Sequence, residues 1–84
     1  MSKTILFAVR DSKAGFYGVP FSKRSRGEAE RDFVSLRRDQ QTKVAQFPED
    51  YDLFEVGEYD ELSGKITAYE TPKHMMKAID IAMS

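Results

Sequence analysis

Apolar and polar positions alternate along this chain with a period that changes several times. Thr4 to Val9 is an apolar, β-rich run closed off by Lys3 on one side and Arg10-Asp11 on the other. Such a run predicts a mostly buried strand. From Arg10 to Arg26 no period is sustained, and Gly15, Gly18 and Pro20 punctuate the segment. It reads as a loop of about 17 residues, with a short extended piece at Phe16-Tyr17. Loops of that length are uncommon in compact domains and are usually functional. Residues 27–44 then place Ala29, Phe33, Leu36 and Val44 among charged and amide side chains. The 29/33/36 spacing follows one helical face. Glu28, Glu30 and Asp32 lie early and Arg37, Arg38 and Lys43 late, which suits the helix dipole at both ends. Glu28 and Asp32 form a like-charge i,i+4 pair, a small local cost. Pro48 ends this helix, because the residue before a proline avoids the α region.

Tyr51 to Tyr59 alternates again, with Phe54 and Val56 pointing one way and Leu53, Glu55 and Gly57 the other. Asp60-Glu61-Leu62-Ser63-Gly64 supplies a turn, and Lys65 to Tyr69 returns as a second strand. This pattern predicts a β-hairpin. Thr71 before Pro72 has the form of an N-cap followed by a first-turn proline. It predicts a closing helix over 71–84, with Met75, Ile79 and Ala82 or Met83 as its apolar stripe. The order is β, loop, α, β-hairpin, α. The expected class is α+β: a small antiparallel or mixed sheet of about three strands, with a helix packed on one face. Strand Ile5–Val9 should pair with one strand of the hairpin, because a crossover helix normally returns the chain to the same sheet. Phe7, Phe33, Leu36, Phe54, Val56 and Ile66 are the expected core.

Composition narrows the picture. The chain has 84 residues, enough for a single domain over 1–84 with a small core. It has no cysteine, so neither a disulfide framework nor a thiolate nucleophile is available, and its one histidine is His74. No stretch approaches the roughly 20 apolar residues of a membrane span. The start is basic and then apolar like a signal peptide. However, Ile5–Val9 falls short of the roughly 7 to 15 residues of a secretory core. A cytoplasmic location is expected. The net charge of −1 hides a split: residues 1–46 carry +5 and residues 47–84 carry −6. Such a split indicates an anionic partner, head-to-tail association, or simply two differently charged faces.

Little in the chain suggests catalysis. His74 has no cysteine partner and falls in the first turn of the expected closing helix, where it would be exposed. The acidic positions Glu49, Asp50, Asp52, Glu55, Glu58, Asp60 and Glu61 lack the spacing of a twelve-residue calcium loop. Gly15-Phe16-Tyr17-Gly18 is no phosphate loop. No catalytic residue, metal or cofactor is expected. The long loop is more informative, because Arg10, Lys13, Lys23, Arg24 and Arg26 interleave there with Phe16, Tyr17 and Phe21. Cations follow a phosphate backbone while aromatic faces stack on unpaired bases. These eight residues are the candidate nucleic-acid-binding set, and single-stranded DNA is the expected partner. The competing reading tucks Phe16 and Phe21 under the loop as satellite core.

Several blocks together resemble a known family. They are Arg10-Asp11-Ser12-Lys13-Ala14, Pro20-Phe21, the run from Gly27 to Phe33, the run from Phe47 to Asp60, and Ser63-Gly64. They are similar to the small non-structural protein of microviruses, single-stranded DNA phages, and most of all to the gokushovirus-type group. The likeness covers roughly residues 3–70, and PEDYDLFEVGEYD is its most specific part. It implies DNA binding in the infected bacterium, at the switch from duplex replication to single-strand synthesis and packaging. No catalytic residue comes with it. The acidic block cannot face phosphates, which leaves open a regulatory adaptor for a phage or host replication protein. A third reading is a structural dimer. A homodimer is expected from two open sheet edges and from Met75, Met76, Ile79 and Met83 on a short helix.

Overall fold

The computed structural model describes residues 2–83. Strand β1 (Lys3–Asp11) is followed by two short strands, β2 (Phe16–Tyr17) and β3 (Phe21–Lys23). Helix α1 (Arg26–Arg38) and the single turn α2 (Lys43–Gln46) lead through a 3-10 turn at Pro48–Asp50. Strands β4 (Tyr51–Asp60) and β5 (Ile66–Lys77) then form the hairpin, and a last 3-10 turn spans Ala78–Asp80. All pairings are antiparallel, and β1 lies at the centre. It pairs along its whole length with β4 and on its other side with β2 and β3, while β5 lies outside β4. The class is α+β as expected, but the sheet has five strands among the described residues, not three.

The two extra strands come from the segment expected to be a long loop. The Asp11 carboxylate accepts the backbone N–H groups of Lys13 (3.0 Å) and Ala14 (3.1 Å), and Gly15 takes φ 82°. That aspartate turn sends the chain straight back along β1. The Gly18 N–H reaches the Val9 carbonyl at 2.8 Å. Pro20, lacking an N–H, interrupts the ladder, so the returning arm is split into β2 and β3.

The expected 27–44 helix is also divided. Ser25 caps α1 by accepting the Glu28 N–H (3.2 Å), while the Glu28 carboxylate accepts the Arg24 N–H (2.9 Å). Asp39 ends α1, its N–H bonding back to the Ser35 and Leu36 carbonyls, and Thr42 caps α2 by accepting the Ala45 N–H. Short polar side chains compete for backbone partners and break helices at such points. The break lets α2 turn Val44 into the core.

One core cluster joins Phe7 and Leu53 of the sheet to Ala29, Phe33, Val44 and Ala78. Phe7 and Phe33 are fully buried as expected. Phe54 and Val56 are half-buried and lie outside that cluster, and Leu36 and Ile66 are exposed, Ile66 by 63%. β4 turns the opposite side to the core from the one expected, for Leu53 and Glu55 are the buried pair. A register shift follows, because Phe7 faces Glu55 but Leu6 faces Gly57, leaving Val56 as the extra residue of a β-bulge. Gly57 is needed where it stands, since a Cβ there would lie 2.5 Å from the Thr67 carbonyl oxygen.

Over residues 71–83, the described part of the expected closing helix, no α-helix forms; Ser84 lies outside the described residues. The chain continues as β5 to Lys77, pairing Phe54 with His74 and Leu53 with Met76. Thr71-Pro72 lies in the irregular stretch between the Ala68 and Lys73 pairings, on the sheet's outer strand, where a missing N–H is tolerated. A helix this short is marginal alone, and pairing with β4 while packing Met75 and Met76 on the core outweighs a local cap signal. The tail is then held by α1. Arg37 donates to the Ala78 carbonyl (3.1 Å), and Arg38 donates twice to that of Ala82 (3.2 and 2.9 Å).

Leu53→Ala should cost about 2–5 kcal/mol. Ile66→Ala should stay within about 0.5 kcal/mol. Urea unfolding of both variants checks the side of the sheet that carries the core.

Candidate nucleic-acid interface

The helices and the core cover one face of the sheet. The opposite face carries a row of rings. Arg10 pairs with Tyr17 across β1 and β2, and Ala8 pairs with Phe54, which in turn pairs with His74. Paired residues share a face. Ala8 is small and buried, which leaves room for Tyr17 and Phe54 to meet with centroids 5.3 Å apart and planes at 75°. Phe54 and His74 repeat the arrangement at 5.2 Å and 84°. The Arg10 guanidinium lies 5.4 Å from the Tyr17 centroid, a cation–π contact. His74 Nε2 is 2.7 Å from Asp52 Oδ2, which holds the imidazole in place. Lys77 pairs with Asp52 at the edge of the row. Tyr17 is 44% exposed. The rings meet edge to face and line an apolar row, with the Arg10 guanidinium against Tyr17 at one end.

The eight residues expected to bind nucleic acid are dispersed. Arg10 and Tyr17 stand together in the row. Lys13 lies exposed in the β1–β2 turn, and Phe16 is 70% exposed opposite Asp11. Phe21 packs on Phe7 with centroids 6.0 Å apart, so it belongs to the core side as satellite packing. The other three cations have internal partners: Lys23 pairs with Asp32, Arg24 with Glu61 (3.5 Å) and Arg26 with Glu55 (2.6 Å). Lys3–Glu58, Arg24–Glu61 and Arg26–Glu55 each join the basic half to the acidic half, so folding itself brings much of the charge split together. Phe54 and His74 were missed. With Leu53 inward, the alternation of β4 turns Phe54 to the open face, whereas no local signal places His74 on a strand.

Glu55 is buried, with 2% of its side chain exposed. Its two oxygens accept Nε (2.6 Å) and Nη2 (3.0 Å) of Arg26, and Oε2 also accepts the Tyr69 hydroxyl (2.5 Å). Hydrogen bonding to Arg26 holds the Glu55 carboxyl below its ordinary value, against the opposing effect of burial. Burial first, then the hydrogen bond to Glu55, pushes the Tyr69 phenol up to about 12. The lowered Glu55 carboxyl stabilises the fold above its ordinary 4.5, and this contribution is lost as pH falls through the lowered value. The neutral Tyr69 phenol stabilises it below pH 10, and that contribution is lost as pH rises towards about 12. In urea titrations across pH, Glu55→Gln should flatten the acid limb. Tyr69→Phe should flatten the alkaline limb and cost about 1 kcal/mol at neutral pH.

Among the described residues no group of three or more potential ligands is placed to hold a metal ion, and no helix is long and apolar enough to cross a membrane. Fold and site together define a small α+β protein with one helix-covered and one ring-bearing sheet face. Residues 4–81 match the model of the phage ORF5 protein family, and the chain belongs to that family. No curated protein and no solved structure matches it.

Proposed function

We propose that this phage protein binds single-stranded DNA without catalysing a reaction, laying the strand across the helix-free face of its sheet. The observation that carries the reading is the Tyr17–Phe54–His74 row with Arg10 beside it. Unpaired bases have free faces for such rings, whereas a duplex hides them and leaves only phosphate contacts. The resemblance to the gokushovirus-type microvirus protein agrees in kind. It implies a role in the cytoplasm of the infected bacterium, at the switch from replication to single-strand synthesis and packaging, and we adopt that role here.

Compared with the sequence-based set, the site keeps Arg10 and Tyr17 and adds Phe54 and His74. Lys23, Arg24 and Arg26 serve the fold through their ion pairs. A second reading, a structural dimer that does not bind DNA or an adaptor for a replication protein, draws on the exposed Val19, Leu62 and Ile66. Single-strand binding that weakens steeply as salt rises separates the first reading from it.

Fluorescence anisotropy with labelled single-stranded and duplex oligonucleotides across a salt series tests the proposal. Tyr17→Ala and Phe54→Ala should each weaken single-strand binding by about 1–3 kcal/mol. Arg10→Ala should reduce the salt slope by about 0.7. Replacing Lys23 and Arg24 should leave it unchanged. Equal, weak binding to both forms of DNA, insensitive to Tyr17 and Phe54, would favour the adaptor.

A further inference from the structure

A cleft of about 310 Å³ opens at the end of the sheet where β1 turns into β2. Its walls are the turn residues Asp11 and Lys13, Lys43 of α2, and the segment carrying Phe47, Asp50 and Tyr51. That volume meets the lower bound of about 300 Å³ for small-molecule clefts. The walls are tied to each other, since the backbone N–H (2.8 Å) and the hydroxyl (3.1 Å) of Ser12 both donate to the Asp50 carbonyl. The Asp11 carboxylate is already engaged, one oxygen by the N–H groups of Lys13 and Ala14 and the other by the Tyr51 hydroxyl at 3.4 Å.

Three features of the cleft have no evident role in folding. The Phe47 ring is 50% exposed. The Asp50 carboxylate accepts no hydrogen bond among the described residues, and Lys13 and Lys43 form no ion pair among them. A ring for stacking, a free acceptor and two flanking ammonium groups match the parts of one nucleotide. We infer that this cleft takes a nucleotide of the bound strand whose base carries an exocyclic amino group. Cytosine, adenine and guanine donate such hydrogens to a carboxylate, whereas thymine presents a carbonyl oxygen at the corresponding edge. The inference rests on the single-strand reading of the sheet face. The two sites lie on opposite faces of the sheet at the same end of β1, because Arg10 meets Tyr17 on one face while Asp11, next to it, turns to the cleft wall on the other. A strand leaving Tyr17 passes over the β1–β2 turn, with Lys13 at its crest.

Anisotropy with oligodeoxycytidine and oligodeoxythymidine of about 4 and about 12 nucleotides tests this, lengths within the range of small single-strand sites. The wild-type chain should bind the longer oligodeoxycytidine about tenfold tighter than oligodeoxythymidine of equal length. Asp50→Asn should remove that preference. Phe47→Ala should weaken binding of the longer oligomer about tenfold and leave the shorter one unchanged, while Phe47→Tyr retains it. Thermal melts of the variants must match wild type for these comparisons to count; should Phe47→Ala melt early, Asp50→Asn and Phe47→Tyr decide. Equal binding of the two bases, with no effect of either residue, overturns the cleft and leaves the sheet face standing. No binding of any oligomer by the wild-type chain overturns the sheet face itself, and the cleft with it.

Discussion

A carboxylate out of water must be paired, and the organisation of this molecule follows from how Glu55 meets that requirement. Arg26, the first residue of α1, reaches Glu55 in the middle of β4, and Tyr69 reaches it from β5. Removing one partner of a buried ion is far more damaging than removing a surface pair. The start of the helix is therefore fastened above one particular face of the sheet. Leu53, two residues away on the same side of β4, then meets Phe33 and Ala29 within the core cluster. Phe54, pointing the other way, is left on the uncovered face.

The uncovered face owes its width to β1. Because β1 is central and extends to Asp11, it can hold β2 and β3 on one flank and β4 on the other. Tyr17 therefore comes within reach of Phe54 across a strand that separates them, and the small side chain of Ala8 permits the contact. The rings belong to three strands that are distant in sequence. Their alignment is a property of the register, and a one-residue slip of β4 would turn Phe54 into the core and Leu53 out to water.

Much of the fold was legible in the chain. The apolar run at Ile5–Val9, the hairpin around Asp60–Gly64 and the helical face of Ala29 and Phe33 all rest on local patterns that the tertiary structure leaves intact. The misreadings have separate physical causes. The Asp11 turn with Gly15 lay hidden inside a segment with no hydrophobic period. Thr42 restarted a helix that Asp39 had ended, although Val44 still fitted a continuous stripe. Thr71-Pro72 carries a genuine helix-start signal, but pairing with β4 prevailed. The side of β4 that faces inward could not be settled by alternation alone, because an apolar Phe54 competed with a charged Glu55 whose partner lies 29 positions earlier. Of the candidate site, Arg10 and Tyr17 were legible as a cation and a ring in one segment. Its other members depended on that side of β4 and on β5 being a strand.

Pro72 and the irregular pairing around it lie on the outermost strand, next to open solvent. A regular strand in that position would offer a row of unused N–H and C=O groups to any neighbouring copy, and sheets joined in that way can extend without limit. With an N–H missing and the spacing of the remaining ones disturbed, this flank is a poor template for strand addition. Any association of copies is thereby left to side-chain surfaces, where an assembly can close on itself at a defined size instead of growing into a fibre.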